Sequence, residues 1–126
     1  MPYATTWEES GVVWTFRGQV TGDEILRANQ EIYRDPRFQG LTYQIVDLTA
    51  VERFDVTEDD MAAVALQDRA GTSSKPGVRV AIAAADETIK DLSAFYDAVM
   101  VGSAWHQRIF DSISEAREWL TSGDGA

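Results

Sequence analysis

The chain reads as an α/β domain with a mixed, mostly parallel five-stranded sheet and four helices, in the order β-β-α-β-α-β-α-β-α. Three observations predict this. Val12, Trp14, Phe16 and Val20 alternate with polar residues, the period of a half-buried strand. Two later apolar runs, Tyr43–Leu48 and Val78–Ala84, show little alternation, as strands do when both faces of a parallel sheet are covered. Between the strands, helix-start signals recur with apolar residues at helical spacing behind them.

Each element has a local reason. Trp7-Glu8-Glu9-Ser10-Gly11-Val12 reads as a strand end and a tight turn, which pairs the first two strands as a hairpin. Thr21-Gly22-Asp23-Glu24 is a capping box: a hydroxyl caps the helix and a carboxylate three residues on reaches back. Ile25, Leu26, Asn29, Ile32 and Tyr33 follow on one face. Asp35-Pro36 ends that helix, because a residue before proline is pushed out of the α region.

After the strand Tyr43–Leu48, residues 49–56 read as a loop. Thr57-Glu58-Asp59-Asp60 is a second capping box, opening a helix that buries Met61, Val64, Ala65 and Leu66. Residues 71–77, with three glycines and prolines among hydroxyls, read as a surface loop. Asp86 caps a helix with Ile89, Leu92, Tyr96, Val99 and Met100 on one stripe, ended by Gly102. Trp105–Phe110 alternates like an edge strand. Ser112 and Glu115 cap the last helix, which buries Ile113, Ala116 and Leu120. Residues 121–126 read as a frayed tail. With no repeat and no linker, residues 1–126 are expected to form a single domain.

Composition narrows the function. At 126 residues, one domain buries roughly two-thirds of its unfolded surface, enough for a core without cross-links. Lys and Arg number 11 against 21 Asp and Glu, a formal charge of −10 that repels phosphate backbones and anionic lipid. No basic cluster offsets it, so no nucleic-acid partner is expected. There is no cysteine, which excludes disulfides, thiolate metal sites and a thiol nucleophile. No basic segment followed by an apolar run opens the chain, and no stretch nears the ~20 apolar residues that span a bilayer. Stable membrane insertion is therefore not expected, and a cytoplasmic location is.

The order and spacing of the segments carry a resemblance. It runs through the strand around Trp14 and Gly18, the Thr21-Gly22-Asp23-Glu24 helix start, and Asp35-Pro36-Arg37. It continues through Ile45-Val46-Asp47-Leu48-Thr49, Phe54-Asp55-Val56-Thr57 and Arg79-Val80-Ala81-Ile82. It ends at Ile109-Phe110 and Glu115–Leu120. In these the chain resembles the STAS superfamily, and more closely the SpoIIAA-like group of small bacterial proteins akin to anti-sigma-factor antagonists. The resemblance implies a STAS-like fold and a non-catalytic regulatory role with a protein partner. In the antagonists an Asp-Ser-Ser-Gly stretch is phosphorylated on its second serine. The matching stretch is Asp55-Val56-Thr57-Glu58, so Thr57 stands in the acceptor's place. Val56 replaces the first serine and Glu58 the glycine, and Glu58, Asp59 and Asp60 would repel an added phosphate. The group is also similar in fold to lipid-transfer domains of the CRAL-TRIO type, which implies an alternative: a small apolar ligand held between helices and sheet.

The candidate residues follow. Ligands of open α/β sheets bind beyond the carboxyl ends of the parallel strands. That edge is expected to carry Asp47, Leu48, Thr49, Phe54, Asp55, Thr57, Ala85, Asp86 and Glu87. Phe54 in its loop and Phe95 beside its helix stripe are the expected pocket rim or interface. Trp105 on an edge strand, or Phe95, offers a surface for a homodimer. Thr57 is at once a helix cap and the one candidate phosphoacceptor. No cofactor is expected: there is no phosphate loop or glycine-rich dinucleotide motif. No metal site is expected either, since Asp55, Glu58, Asp59 and Asp60 lack the alternating ligand spacing and glycine of a calcium loop. Ser103, His106 and Asp111 lie near one another without a nucleophile elbow, and the edge histidine is expected to be half exposed. An enzyme using Asp47 or Asp55 as acid or base has no partner base, metal motif or nucleophile to support it.

Overall fold

The computed structural model describes residues 3–72 and 75–121. Strands β1 (Tyr3–Trp7) and β2 (Gly11–Thr21) form the opening hairpin. Helix α1 (Gly22–Arg34) follows, with a short 3-10 turn at Pro36–Gly40. Then come β3 (Tyr43–Asp55), α2 (Glu58–Thr72), β4 (Arg79–Ala83) and α3 (Glu87–Met100). Strand β5 (His106–Phe110) and helix α4 (Ile113–Thr121) complete the order. The sheet runs β1-β2-β3-β4-β5, with β1 antiparallel to β2 and every other pair parallel.

That strand order fixes the layers. Each crossover from β2 onward steps the same way across the sheet, and right-handed crossovers then put α1, α2 and α3 on one face. The larger core lies there, joining Val12, Trp14, Phe16, Val80 and Ile82 of the sheet to Ile25, Ile32, Met61, Val64, Ile89 and Tyr96. Helix α4 covers the opposite face alone, over a small cluster of Ile45, Ala81, Ala116 and Trp119.

Four sequence expectations change. Residues 49–55 are strand, not loop: β3 continues beside β2 to the pair Thr21–Asp55. The register slips twice, each time with one extra residue in β3. Two bulges thus replace the alternation that marks a strand. The second helix reaches Thr72, so Gly71 and Thr72 are helical and the loop begins later. Its Leu66 is 63% exposed rather than buried. In α4 the buried side chains are Ala116 and Trp119, with Ile113 and Leu120 only partly covered. The proposed tail beyond residue 121 and Ser73 and Ser74 of the loop lie outside the described residues.

Candidate functional site

Because β4 ends level with Asp47, paired to Thr15, while β2 and β3 run on to the pair Thr21–Asp55, the two project past the rest of the sheet by about 20 Å, six residues of β2 at ~3.3 Å each. At the tip of this ribbon, α1 and α2 begin side by side. Thr21 caps α1: its Oγ1 accepts from Glu24 N at 3.3 Å, and Thr21 N donates to Glu24 Oε1 at 2.8 Å. Thr57 caps α2 in the same way, accepting from Asp60 N at 3.1 Å while its own N donates to Asp60 Oδ2 at 3.0 Å. The two starts touch. A Cβ on Gly22 would lie 2.2 Å from Asp60 Cγ, so only glycine lets the helices approach this closely.

Of the predicted residues, Asp55 and Thr57 are exposed on this tip. Asp55 accepts from Gln19 Nε2 at 2.7 Å and from Arg53 Nε at 3.1 Å. Those hydrogen bonds, Gln19's first, hold its carboxyl below the usual range and keep it ionised. Phe54 sits at the end of β3, half-buried, with its ring in the core. Asp47 lies eight residues back along the strand, occupied with Thr49 N and Oγ1. Two carboxylates so far apart cannot share a reaction.

Phe54 lines a narrow slot between the sheet and helices α1–α3, about 50 Å³ in volume. Trp14, Phe16, Leu48, Met61 and Ile82 form much of its apolar wall. Asp68 and Tyr96 line it too, and belong to a polar cluster that sequence reasoning did not single out. Asp68 of α2 is only 5% exposed. It accepts from Tyr33 of α1 at 2.7 Å, Tyr96 of α3 at 2.5 Å and Asn29 of α1 at 3.2 Å. Burial pushes its carboxyl up, and the three donors oppose that rise. The same burial, with Asp68 alongside, raises both tyrosines. A signal was present in the sequence: Met61, Val64, Ala65 and Asp68 share one helical stripe, so the carboxylate had to face the core.

The other candidates lie elsewhere. Phe95 packs half-buried against the core from α3 and does not line the slot. Trp105 is a correction: at 2% exposure it is core rather than edge surface. It precedes β5, stacks on Tyr33 with ring centres 6.5 Å apart, and donates from Nε1 to Lys75 O at 2.6 Å. It cannot supply a dimer surface. Ser103 hydrogen-bonds the Trp105 backbone and Asp111 pairs with Lys90, while His106 is exposed. Among the described residues no group of His, Asp and Glu is placed to hold a metal, and no helix is long and apolar enough to cross a membrane.

No protein-family model and no curated protein sequence matches the chain. Solved structures do, two of them as follows. The anti-sigma factor antagonist SpoIIAA in its unphosphorylated form is 12% identical, with a TM-score of 0.63 over 96% of this chain and 98% of that one. An uncharacterised DUF3478-family protein with a SpoIIAA-like fold, from Shewanella loihica PV-4, is 13% identical, with a TM-score of 0.53 over 94% and 91%. The chain has the SpoIIAA-like fold that the sequence resemblance implied.

Proposed function

We propose that this protein is a non-catalytic regulatory module of the STAS type that docks a protein partner at the ribbon tip, around Phe54, Asp55 and Thr57. The slot behind Phe54 carries the reading. Ligand pockets run to ~300–1,000 Å³, and about 50 Å³ leaves no room for such a ligand. The distinctive chemistry is therefore at the surface, where two capped helix starts and an ionised Asp55 stand together. The likeness to an anti-sigma factor antagonist supports a protein as the partner.

The test is a photo-crosslinker placed at Asp55 in the cell of origin, with one at exposed Glu118 of α4 as control. A protein captured only from Asp55, and lost with Phe54→Ala and Thr57→Arg, is the expected result. Equal capture from both positions, or capture untouched by those substitutions, removes the tip as the site.

A phosphorylated Thr57 is the second reading, favoured by the exposure of its hydroxyl at the helix start. Three acidic residues follow at once and work against it. Mass spectrometry of native protein across growth conditions decides: an unmodified Thr57 throughout ends this reading.

A further inference from the structure

Five polar side chains are buried among the described residues, and three of them line the slot between the sheet and the helices. Gln44 of β3 is 4% exposed, Asp68 of α2 5% and Ser93 of α3 1%. Neither the Gln44 amide nor the Ser93 hydroxyl has a hydrogen-bond partner among the described residues. Asp68 is only partly satisfied. Its Oδ1 accepts from Tyr33 and Asn29, but its Oδ2 accepts from Tyr96 alone and keeps a lone pair. Trp14 Nε1, of the same wall, is buried without a partner as well.

The three groups come from both sides of the slot. Ser93 lies one turn before Tyr96 on the buried face of α3, and Tyr96 reaches Asp68, so the hydroxyl and the carboxylate stand together in the helical layer. Gln44 rises from the sheet, level with Val80 of β4, which also lines the slot. Leaving such buried groups unpaired weakens the folding equilibrium about tenfold or more apiece. An apolar guest would leave them so, and a guest that both donates and accepts hydrogen bonds would not. The space sets its size: about 50 Å³ exceeds the ~30 Å³ that one water occupies in the liquid and falls short of two.

We propose that the slot binds one structural water, which ties the sheet to α2 and α3. It donates to Asp68 Oδ2 and shares its other hydrogen bonds with Gln44 and Ser93, three being the usual number of partners for a buried water. The Asp68 cluster, which by direct contacts joins only helices, is thereby extended to β3. The space behind Phe54 is then a hydration site of the core and not the mouth of an apolar pocket. This assignment holds wherever a protein partner docks.

A high-resolution crystal structure of the full chain is the direct test. One enclosed water is expected, within about 3.2 Å of Asp68 Oδ2, the Gln44 amide and Ser93 Oγ. In solution, water ¹⁷O relaxation dispersion counts long-held internal waters. Gln44→Met nearly keeps the side-chain volume and removes its polar atoms, so it should lower that count by one. If the variant does not fold, the crystal structure of the unaltered chain decides alone. A dry slot, an apolar molecule in it, Gln44 and Ser93 bonded to protein groups instead, or an unchanged count in folded Gln44→Met overturns the proposal. So does an occupant that comes and goes with ammonium or potassium chloride in the buffer, which identifies it as a cation.

Discussion

Gly22 shows how tightly single residues set the ribbon tip. A methyl there must displace the Asp60 carboxylate, which is also the cap on Thr57 N. Gly22→Ala should therefore cost about 1 kcal/mol, the worth of a helix cap. Its cost in an Asp60→Ala background should be clearly smaller, because the group it displaces is already gone. Urea denaturation of the four proteins measures this; additive costs would contradict the shared-cap account. Thr57→Ala should also cost about 1 kcal/mol, with Thr57→Ser nearly neutral. This tip was largely legible in the sequence. Both capping boxes could be read because a cap is a local device, set by residues three apart. The packing of one helix start against the other could not, since it depends on where β2 and β3 end in space.

At the scale of the element, α2 is tied in at two adjacent residues. Asp68 joins it inside to α1 and α3, and Arg69 Nη1 donates to Val99 O and Val101 O, capping the end of α3 from outside. Asp68→Ala takes the acceptor from the Tyr33 and Tyr96 hydroxyls and from one N–H of Asn29, whose Nδ2 keeps Gln67, so a loss of roughly 2–4 kcal/mol is expected in denaturant unfolding. Tyr33→Phe removes one donor only and should cost about 1 kcal/mol. A loss for Asp68→Ala no larger than for Tyr33→Phe would mean the cluster does not join the helices. The same scale explains the misread segment 49–55. Strand recognition rests on period two, and the two bulges in β3 leave Leu48, Val51 and Phe54 facing the core three residues apart. Its pairing with β2 is visible only in three dimensions. Trp105 differs for a related reason: edge position in sequence says nothing about Tyr33 of α1, which stacks on its ring, or the Lys75 carbonyl that accepts from its Nε1.

For the whole molecule, two carboxyls set opposite slopes with pH. Burial raises Asp97 to about 6 from 3.8, so a penalty on folding builds as pH rises from 3.8 to about 6, is complete above that, and is gone below 3.8. Glu8 is held at about 2, down from 4.5, by Arg117 and then Tyr43, both hydrogen-bonded to it. Its contribution is complete above about pH 4.5 and is lost as pH falls toward 2. Stability should thus peak at about pH 4, fall as pH rises from about 4.5 to 6, level off above 6, and fall again as pH drops toward 2. Asp97→Asn should raise stability at neutral pH by roughly 1–3 kcal/mol and remove the fall between about pH 4.5 and 6. Thermal unfolding from pH 3 to 8 checks both. An unchanged slope in Asp97→Asn would acquit that residue.

The unequal covering of the sheet has a kinetic consequence. Three helices share a large core on one face, while α4 rests on a small cluster and on the bidentate pair of Arg117 with Glu8, at 2.8 Å for each bond. Free energy of opening is not uniform in such an arrangement, and the lightly anchored element detaches first. In native-state hydrogen exchange, amides 113–121 should exchange ahead of those in α1–α3, and Arg117→Met should hasten them without altering the global midpoint as much. Each time α4 lifts, it uncovers Trp119 and the ring surface on which Arg108 lies. The molecule's first excursion from its native state would thus bare the face of the sheet that α4 covers.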